Sequence, residues 1–263
     1  MDTVETKLGH LRNTLSSMDN LAVAFSGGID SSLILRVASD LPEIRVMALM
    51  AVSELVSQHE SSEAERIAES LEVPFRKVSV QVMENDAFVE NSKERCYLCK
   101  RMIFERLLEA AREENLDILV DGTNLDDLGE DRPGLRALEE LGVRSPLAEI
   151  RISKTDVREM ARRLNMENVE RPENTCLATR IPRGQMITLE KLQRIDDAES
   201  FLRSLGVQQL RVRDHEDLAR IEVLPDQFEI ILNNANAIAI RFRELGFRFI
   251  TLDLEGFRSG SLG

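Results

Sequence analysis

The chain has 263 residues, 43% of them hydrophobic, enough to fill the core of one large domain or two modest ones. A net charge of −13 argues against a nucleic-acid partner, because an extended footprint needs Lys and Arg to neutralise phosphates. No apolar stretch approaches the roughly 20 residues of a membrane span, and Met1-Asp2-Thr3-Val4-Glu5 lacks a basic start and an apolar stretch behind it, so a cytoplasmic protein without a membrane partner is expected.

Residues 1–20 predict a short amphipathic helix with Val4, Leu8, Leu11 and Leu15 on one face. Leu21 to Phe25 is a continuous apolar run of strand length, as in a parallel strand covered on both faces. It runs through Ser26-Gly27-Gly28-Ile29-Asp30-Ser31-Ser32 into a helix whose apolar positions are Leu33, Ile34, Val37 and Ala38. The glycines let backbone approach an anion, and the positive end of the helix points at whatever sits above them. A Walker loop needs a Lys after its last Gly and a Rossmann loop needs G-x-G-x-x-G, and this stretch has neither. It resembles instead the S-G-G-x-D-S loop of the ATP pyrophosphatase (PP-loop) superfamily, whose members cleave ATP between the α- and β-phosphates and adenylate a substrate. That resemblance implies that Ser26, Gly27, Gly28, Ser31 and Ser32 hold pyrophosphate and that Asp30 helps to place Mg²⁺.

Further along, Ile44–Val52 is a second apolar strand, Ser61–Leu71 a helix, Phe75–Val82 an alternating strand, Lys100–Arg112 a helix and Ile118–Val120 a short buried strand. This alternation predicts βαβ units: an α/β fold with a parallel sheet, helices on both faces, and ligand at the carboxyl ends of the strands. Ile118–Val120 leads into Asp121-Gly122-Thr123-Asn124-Leu125-Asp126-Asp127, at the same rim as the glycine loop. In the superfamily such a segment meets adenine through backbone near Gly122 and its acidic residues assist the metal; Asp126 and Asp127 are equally readable as a solvated turn. Arg132-Pro133-Gly134 begins a helix, Ser145-Pro146-Leu147 is a turn, and a helix opened by Ser153 runs to Leu164, with Lys154 a candidate phosphate contact. Residues 165–188 have no clear periodicity, and long loops of this kind are usually functional. Beyond a boundary placed at residue 185 a smaller α+β domain is expected, with a helix from Leu189, paired strands Leu210–Arg213 and Leu218–Val223, a long helix Phe228–Leu245 and a last strand Phe247–Leu254. Domain one is therefore 1–185 and domain two, for substrate binding or oligomerisation, 186–263.

Three cysteines, an odd number, point to metal or thiol chemistry rather than a disulfide framework. Cys96-Tyr97-Leu98-Cys99 stands just before the Lys100 helix and Cys176 lies in the long loop. Two thiolates three apart can share a metal or cluster, but a single C-x-x-C also occurs among buried structural cysteines, and His10, His59 and His215 are not at ligand spacing. Arg211 and Arg213 are two apart on a predicted strand, so both fall on one face and can fork onto a phosphate. Arg180, four residues beyond Cys176, is placed to hold a carboxylate near the sulfur.

The glycine loop, the G-T-N-L-D-D segment, the C-L-A-T-R-I segment and the ending Thr251-Leu252-Asp253-Leu254-Glu255-Gly256-Phe257-Arg258-Ser259-Gly260 together resemble one family along nearly the whole chain. It is the ATP-dependent sulfur transferase (LarE-type) family of nickel-pincer nucleotide biosynthesis, which converts carboxylates of pyridinium-3,5-biscarboxylic acid mononucleotide into thiocarboxylates. The resemblance implies ATP and Mg²⁺ as cofactors, Arg211 and Arg213 as substrate ligands, roles for Glu199 and Glu222 near them, a sulfide donor and a homo-oligomer, hexameric in the family. For Glu199 a surface ion pair is as good a reading. In one branch the cysteine matching Cys176 gives up its own sulfur; in a three-cysteine branch the residues matching Cys96, Cys99 and Cys176 hold a [4Fe–4S] cluster that carries exogenous sulfide. The cysteine count favours the cluster, with sacrifice of Cys176, a tRNA thiolase, a non-enzymatic nucleotide-binding or carrier subunit and an amidating synthetase as alternatives.

Overall fold

A computed structural model describes residues 3–129, 133–169 and 175–258. Arg132, the Arg171–Asn174 part of the long loop, and Ser259 and Gly260 of the ending segment lie outside the described residues. In chain order the first half holds α1 (Val4–Ser16), β1 (Asn20–Ala24), α2 (Ile29–Ser39), β2 (Arg45–Val52), α3 (Gln58–Ser70), β3 (Phe75–Ser79), α4 (Asp86–Val89), α5 (Arg95–Glu113) and β4 (Ile118–Val120). Then come α6 (Pro133–Glu140), α7 (Pro146–Glu149), α8 (Lys154–Arg163), α9 (Leu189–Ser204), β5 (Leu210–His215), β6 (Leu218–Val223), α10 (Phe228–Asn233), α11 (Ala235–Glu244) and β7 (Phe249–Leu252). These elements form two compact units: Met1–Ser53, Gln58–Val82 and Glu94–Asn174 make the first, and Glu54–Ser57, Met83–Lys93 and Thr175–Gly263 the second.

The first unit is α/β. Its sheet has the order β3-β2-β1-β4 with every pair parallel, and helices flank it, as the run of βαβ units predicts. One face of the sheet offers Ala22, Leu49, Val78 and Leu119 to Phe104, Leu107, Ala110 and Ala111 of α5. Burying side chains of this size stabilises the unit by about 1.5–3 kcal/mol per large residue. Helix starts follow local chemistry: Ser153 and Asp156 form a reciprocal capping box at the start of α8.

The second unit carries the sheet order β5-β6-β7, with β5 and β6 antiparallel and β7 parallel to β6. Alternation divides the β5–β6 ladder into two faces. Leu210, Val212, Ala219, Ile221 and Val223 pack with Ala198 and Leu202 of α9 and with Ile238 and Phe242 of α11. The other face carries Arg211 opposite Glu222 and Arg213 opposite Arg220.

Three expectations are corrected. Helix α5 starts at Arg95, not at Lys100, so the C-x-x-C lies inside the helix; nothing between Arg95 and Glu113 is Gly or Pro, and the segment is helix-compatible throughout. The expected helix Phe228–Leu245 is two helices, because the Asn234 side-chain amide donates to the Ile230 carbonyl at 2.8 Å, competing with the backbone ladder. Ser145-Pro146-Leu147 opens the short helix α7.

Candidate active site

In the first unit β1 ends in a loop already folded by its own side chains. Gly27 has φ of +72°, and a Cβ on it would stand 3.1 Å from Ala64 Cα, so the turn demands glycine. The Ser31 hydroxyl donates to the Gly28 carbonyl at 3.1 Å and lies 3.2 Å from the Ser26 hydroxyl, which accepts the Gly28 N–H at 3.3 Å. No side chain caps the N-terminus of α2, so its first N–H groups face the space above the loop. From behind, the buried Asn168 amide donates to Ser32 Oγ at 2.9 Å and to the Gly27 carbonyl at 3.3 Å. Asn168 lies in an aperiodic stretch that carries no motif, so the sequence pattern alone does not mark it.

The loop after β4 meets this one at backbone distance. A Cβ on Gly122 would come within 2.9 Å of Ser31 N and 3.1 Å of Asp30 Cβ. Its position is set by the buried Asp121 carboxylate, which accepts from Thr123 Oγ1 at 2.5 Å and from Ser145 Oγ at 2.6 Å. Asp30 is held through both oxygens, by Asn124 Nδ2 at 3.1 Å and by Lys154 Nζ at 2.6 Å. Lys154 therefore stands at the loop, against the carboxylate expected to place the metal. Asp126 accepts the Lys154 backbone N–H at 2.7 Å and Asp127 accepts that of Asn124 at 3.0 Å, so both acidic residues fasten backbone.

The second unit gathers the predicted Arg and Glu residues on the charged face of β5 and β6. Arg213, 2% exposed, pairs with the fully buried Glu222 at 2.9 Å and donates to the Thr179 carbonyl at 2.8 Å. Glu222 also accepts from Arg220 at 2.8 Å. Arg180, 3% exposed, forks onto Glu199 at 2.9 and 3.2 Å. Burial by itself would raise the Glu199 carboxyl, but Arg180 first and then Arg203 and the Val212 N–H hold it below its ordinary value. Arg211 differs from both. It is 6% exposed, and among the described residues it meets no carboxylate, only the Phe257 ring at 4.6 Å and the Arg258 carbonyl at 3.5 Å. Burial, with Arg213 and Arg180 nearby, outweighs the more distant pull of Glu222 and Glu199 and pushes it down to about 10, so it stays charged at neutral pH.

Cys96 and Cys99 stand three apart in the first turns of α5, on one helix face. That turn is braced by α6: the Tyr97 hydroxyl donates to Glu140 at 2.6 Å, the Arg136 guanidinium lies 4.1 Å above the Tyr97 ring, and Gly134 admits Lys100 where a Cβ would be 3.0 Å from its Cγ. Cys176, in the second unit, immediately precedes a 3₁₀ turn, Leu177–Arg180. All three are thiols rather than disulfides. Among the described residues no three His, Cys, Asp or Glu side chains are gathered around a point where a metal ion would sit.

A four-stranded parallel sheet flanked by helices, with a glycine–serine loop at the carboxyl end of β1, is consistent with a Rossmann-like PP-loop protein. No protein-family model matches the chain. It is 38% identical over 261 residues to an uncharacterized protein of Synechocystis sp., covering 98% of this chain and 97% of that one. An uncharacterized protein of Methanocaldococcus jannaschii is 38% identical over 256 residues, covering 96% and 98%. The pyridinium-3,5-bisthiocarboxylic acid mononucleotide synthase of Lactiplantibacillus plantarum is 36% identical over 263 residues, all of this chain and 95% of that protein. The chain belongs to the LarE-type sulfur transferase family. Among the described residues no helix is long and apolar enough to cross a membrane.

Proposed function

We propose that the protein is an ATP-dependent sulfur transferase acting on pyridinium-3,5-biscarboxylic acid mononucleotide in the synthesis of the nickel-pincer nucleotide. A substrate carboxylate oxygen attacks the α-phosphorus of ATP and pyrophosphate leaves. A sulfur nucleophile then attacks the acyl carbon, AMP departs with the original oxygen, and a thiocarboxylate remains. Ser26, Gly27, Gly28, Ser31 and Ser32 receive the pyrophosphate part of ATP, Asp30 positions Mg²⁺ once Lys154 turns to the phosphates, and Gly122 lies under the adenine. Arg211 takes the substrate phosphate, with Arg213 beside it on the same face of β5 and Arg180, Glu199 and Glu222 around them.

The observation that carries this reading is Arg211. A guanidinium that is 6% exposed and meets no carboxylate among the described residues is a strong anion site, and it lies on β5, the strand whose Arg213 donates to the Thr179 carbonyl in the turn that follows Cys176. An anionic nucleotide held there brings its phosphate to the strand against which that turn is fastened.

For the sulfur source we propose a [4Fe–4S] cluster held by Cys96, Cys99 and Cys176. The donor chemistry fits: three soft thiolates suit iron–sulfur ligation, and the pair on α5 presents two of them on one face. Such a cluster supplies exogenous sulfide as the transferable sulfur. A second reading, loss of sulfur from Cys176 itself, is favoured by one observation: the charged face that would hold the substrate is tied to the turn of Cys176 within a single unit. Mass spectrometry and iron analysis after turnover separate the two. An intact Cys176 in an iron-loaded, repeatedly active protein supports the cluster, and dehydroalanine at position 176 in an active iron-free protein rules it out. In either case the protein assembles as a homo-oligomer.

A further inference from the structure

We infer that Arg180 and Glu199 are positioning residues that fix the Cys176 turn, and that neither is a ligand of the substrate. The donors of Arg180 are already committed. Its Nε and one terminal nitrogen fork onto Glu199 at 2.9 and 3.2 Å. The other terminal nitrogen reaches the Thr175 carbonyl at 2.5 Å, Thr175 Oγ1 at 2.8 Å, the Cys176 carbonyl at 3.2 Å and Thr179 Oγ1 at 3.1 Å. A guanidinium has five N–H groups, and these acceptors take the Nε–H, one N–H of the nitrogen facing Glu199 and both N–H groups of the other.

Glu199 is the other half of the device. Besides Arg180 it accepts the Val212 backbone N–H at 3.1 Å and Arg203 at 3.2 Å, so the carbonyl of Cys176 is linked through one ion pair to both α9 and β5. Further along the same segment, the fully buried Asn91 amide donates to the Pro182 and Gln185 carbonyls, each at 2.9 Å. The residues on either side of the 3₁₀ turn are thus pinned from two directions. A substrate carboxylate that took Arg180 would have to displace the Glu199 carboxylate, which is fully buried, and leave it short of its strongest partner. Arg211, which faces no such competitor, is the available cation of the trio.

This inference rests on the reading that Cys176 supplies or ligates the transferred sulfur, so the experiment reads nucleotide affinity and thiol behaviour separately from product. Arg180→Lys keeps the charge beside Glu199 but not the fork. The expected result is a fall in thiocarboxylate formation of about 100-fold, the scale of a misplacement of about 1 Å, with the dissociation constant of pyridinium-3,5-biscarboxylic acid mononucleotide unchanged within about twofold. The rate at which iodoacetamide alkylates Cys176, followed on the Cys176 peptide by mass spectrometry, rises severalfold as the turn loosens. Thr179→Val, which removes one acceptor and buries no orphan charge, shifts alkylation in the same direction by less and serves where Arg180→Lys folds poorly. A dissociation constant raised by about tenfold or more, with Cys176 alkylated at the wild-type rate, makes Arg180 a substrate ligand and overturns the inference. A wild-type protein that forms no thiocarboxylate contradicts the proposed function, while the affinity and alkylation comparison still decides the role of Arg180.

Discussion

Replacing Arg211 and Arg213 one at a time separates an arginine that waits for an anion from one that holds the fold. Arg213 is paired with Glu222, which is fully buried; Arg213→Ala removes the more deeply buried of the two arginines on that carboxylate, the other being Arg220 at 27% exposed, and costs up to about 3–5 kcal/mol. Arg211→Ala orphans no carboxylate among the described residues and removes a charge that burial, Arg213 and Arg180 all disfavour, so the free protein loses little stability. The nucleotide complex loses a charge-assisted hydrogen bond, about 1.5–3 kcal/mol, which is about 12- to 140-fold in affinity at about 1.4 kcal/mol per factor of ten. Thermal melts with and without pyridinium-3,5-biscarboxylic acid mononucleotide, together with calorimetry, read both quantities. Arg211→Ala is expected to melt near the wild type and to lose the nucleotide-induced rise, while Arg213→Ala melts lower even without ligand. Equal destabilisation by the two variants, or full nucleotide affinity in Arg211→Ala, refutes the assignment of Arg211 as the anion site.

Asp30→Ala removes Mg²⁺-dependent AMP and pyrophosphate formation but leaves the fold intact, since the Lys154–Asp30 pair is one partly exposed ion pair; release of ADP in place of AMP contradicts the pyrophosphatase reading. Gly122→Ala forces a Cβ to 2.9 Å from Ser31 N, which costs about 1–3 kcal/mol of overpacking at the loop and weakens ATP binding in calorimetry while sparing the substrate nucleotide. The buried Glu199 carboxyl is held below 4.5, its ordinary value, because burial, which acts the other way, is outweighed by Arg180 and Arg203. Its stabilising contribution is therefore complete above pH 4.5 and is lost as pH falls through the lower folded value, so melting temperature drops on acidification and Glu199→Gln flattens that slope.

Most of the first unit was legible because period and apolarity agree there. The apolar run from Leu21 covers the buried part of β1, Asn20–Ala24, and needs no long-range information to be read as a strand. The glycine loop was legible for the same reason: Gly27 and the serines act within a few residues of one another. Long-range partners were not. Asn168 reaches Ser32 across 136 residues, and only the folded chain brings them together. The C-x-x-C was placed outside its helix because cysteine and tyrosine are weak helix signals, whereas packing against α6 extends α5 to Arg95. Arg180, Arg211 and Arg213 look alike as letters in a predicted strand or loop; their ion pairs, with Glu199 for the first and Glu222 for the third, and a carbonyl contact for the second, set them apart.

The central claim is that ATP cleavage drives replacement of a substrate oxygen by sulfur. Purified protein incubated with ATP, Mg²⁺, sulfide and pyridinium-3,5-biscarboxylic acid mononucleotide is analysed by mass spectrometry for the nucleotide and by chromatography for AMP and pyrophosphate. The expected product is a nucleotide heavier by the difference between sulfur and oxygen, with one AMP and one pyrophosphate for each thiocarboxylate formed. AMP without a change in the mass of the nucleotide, or a sulfur-containing product formed without ATP, contradicts it.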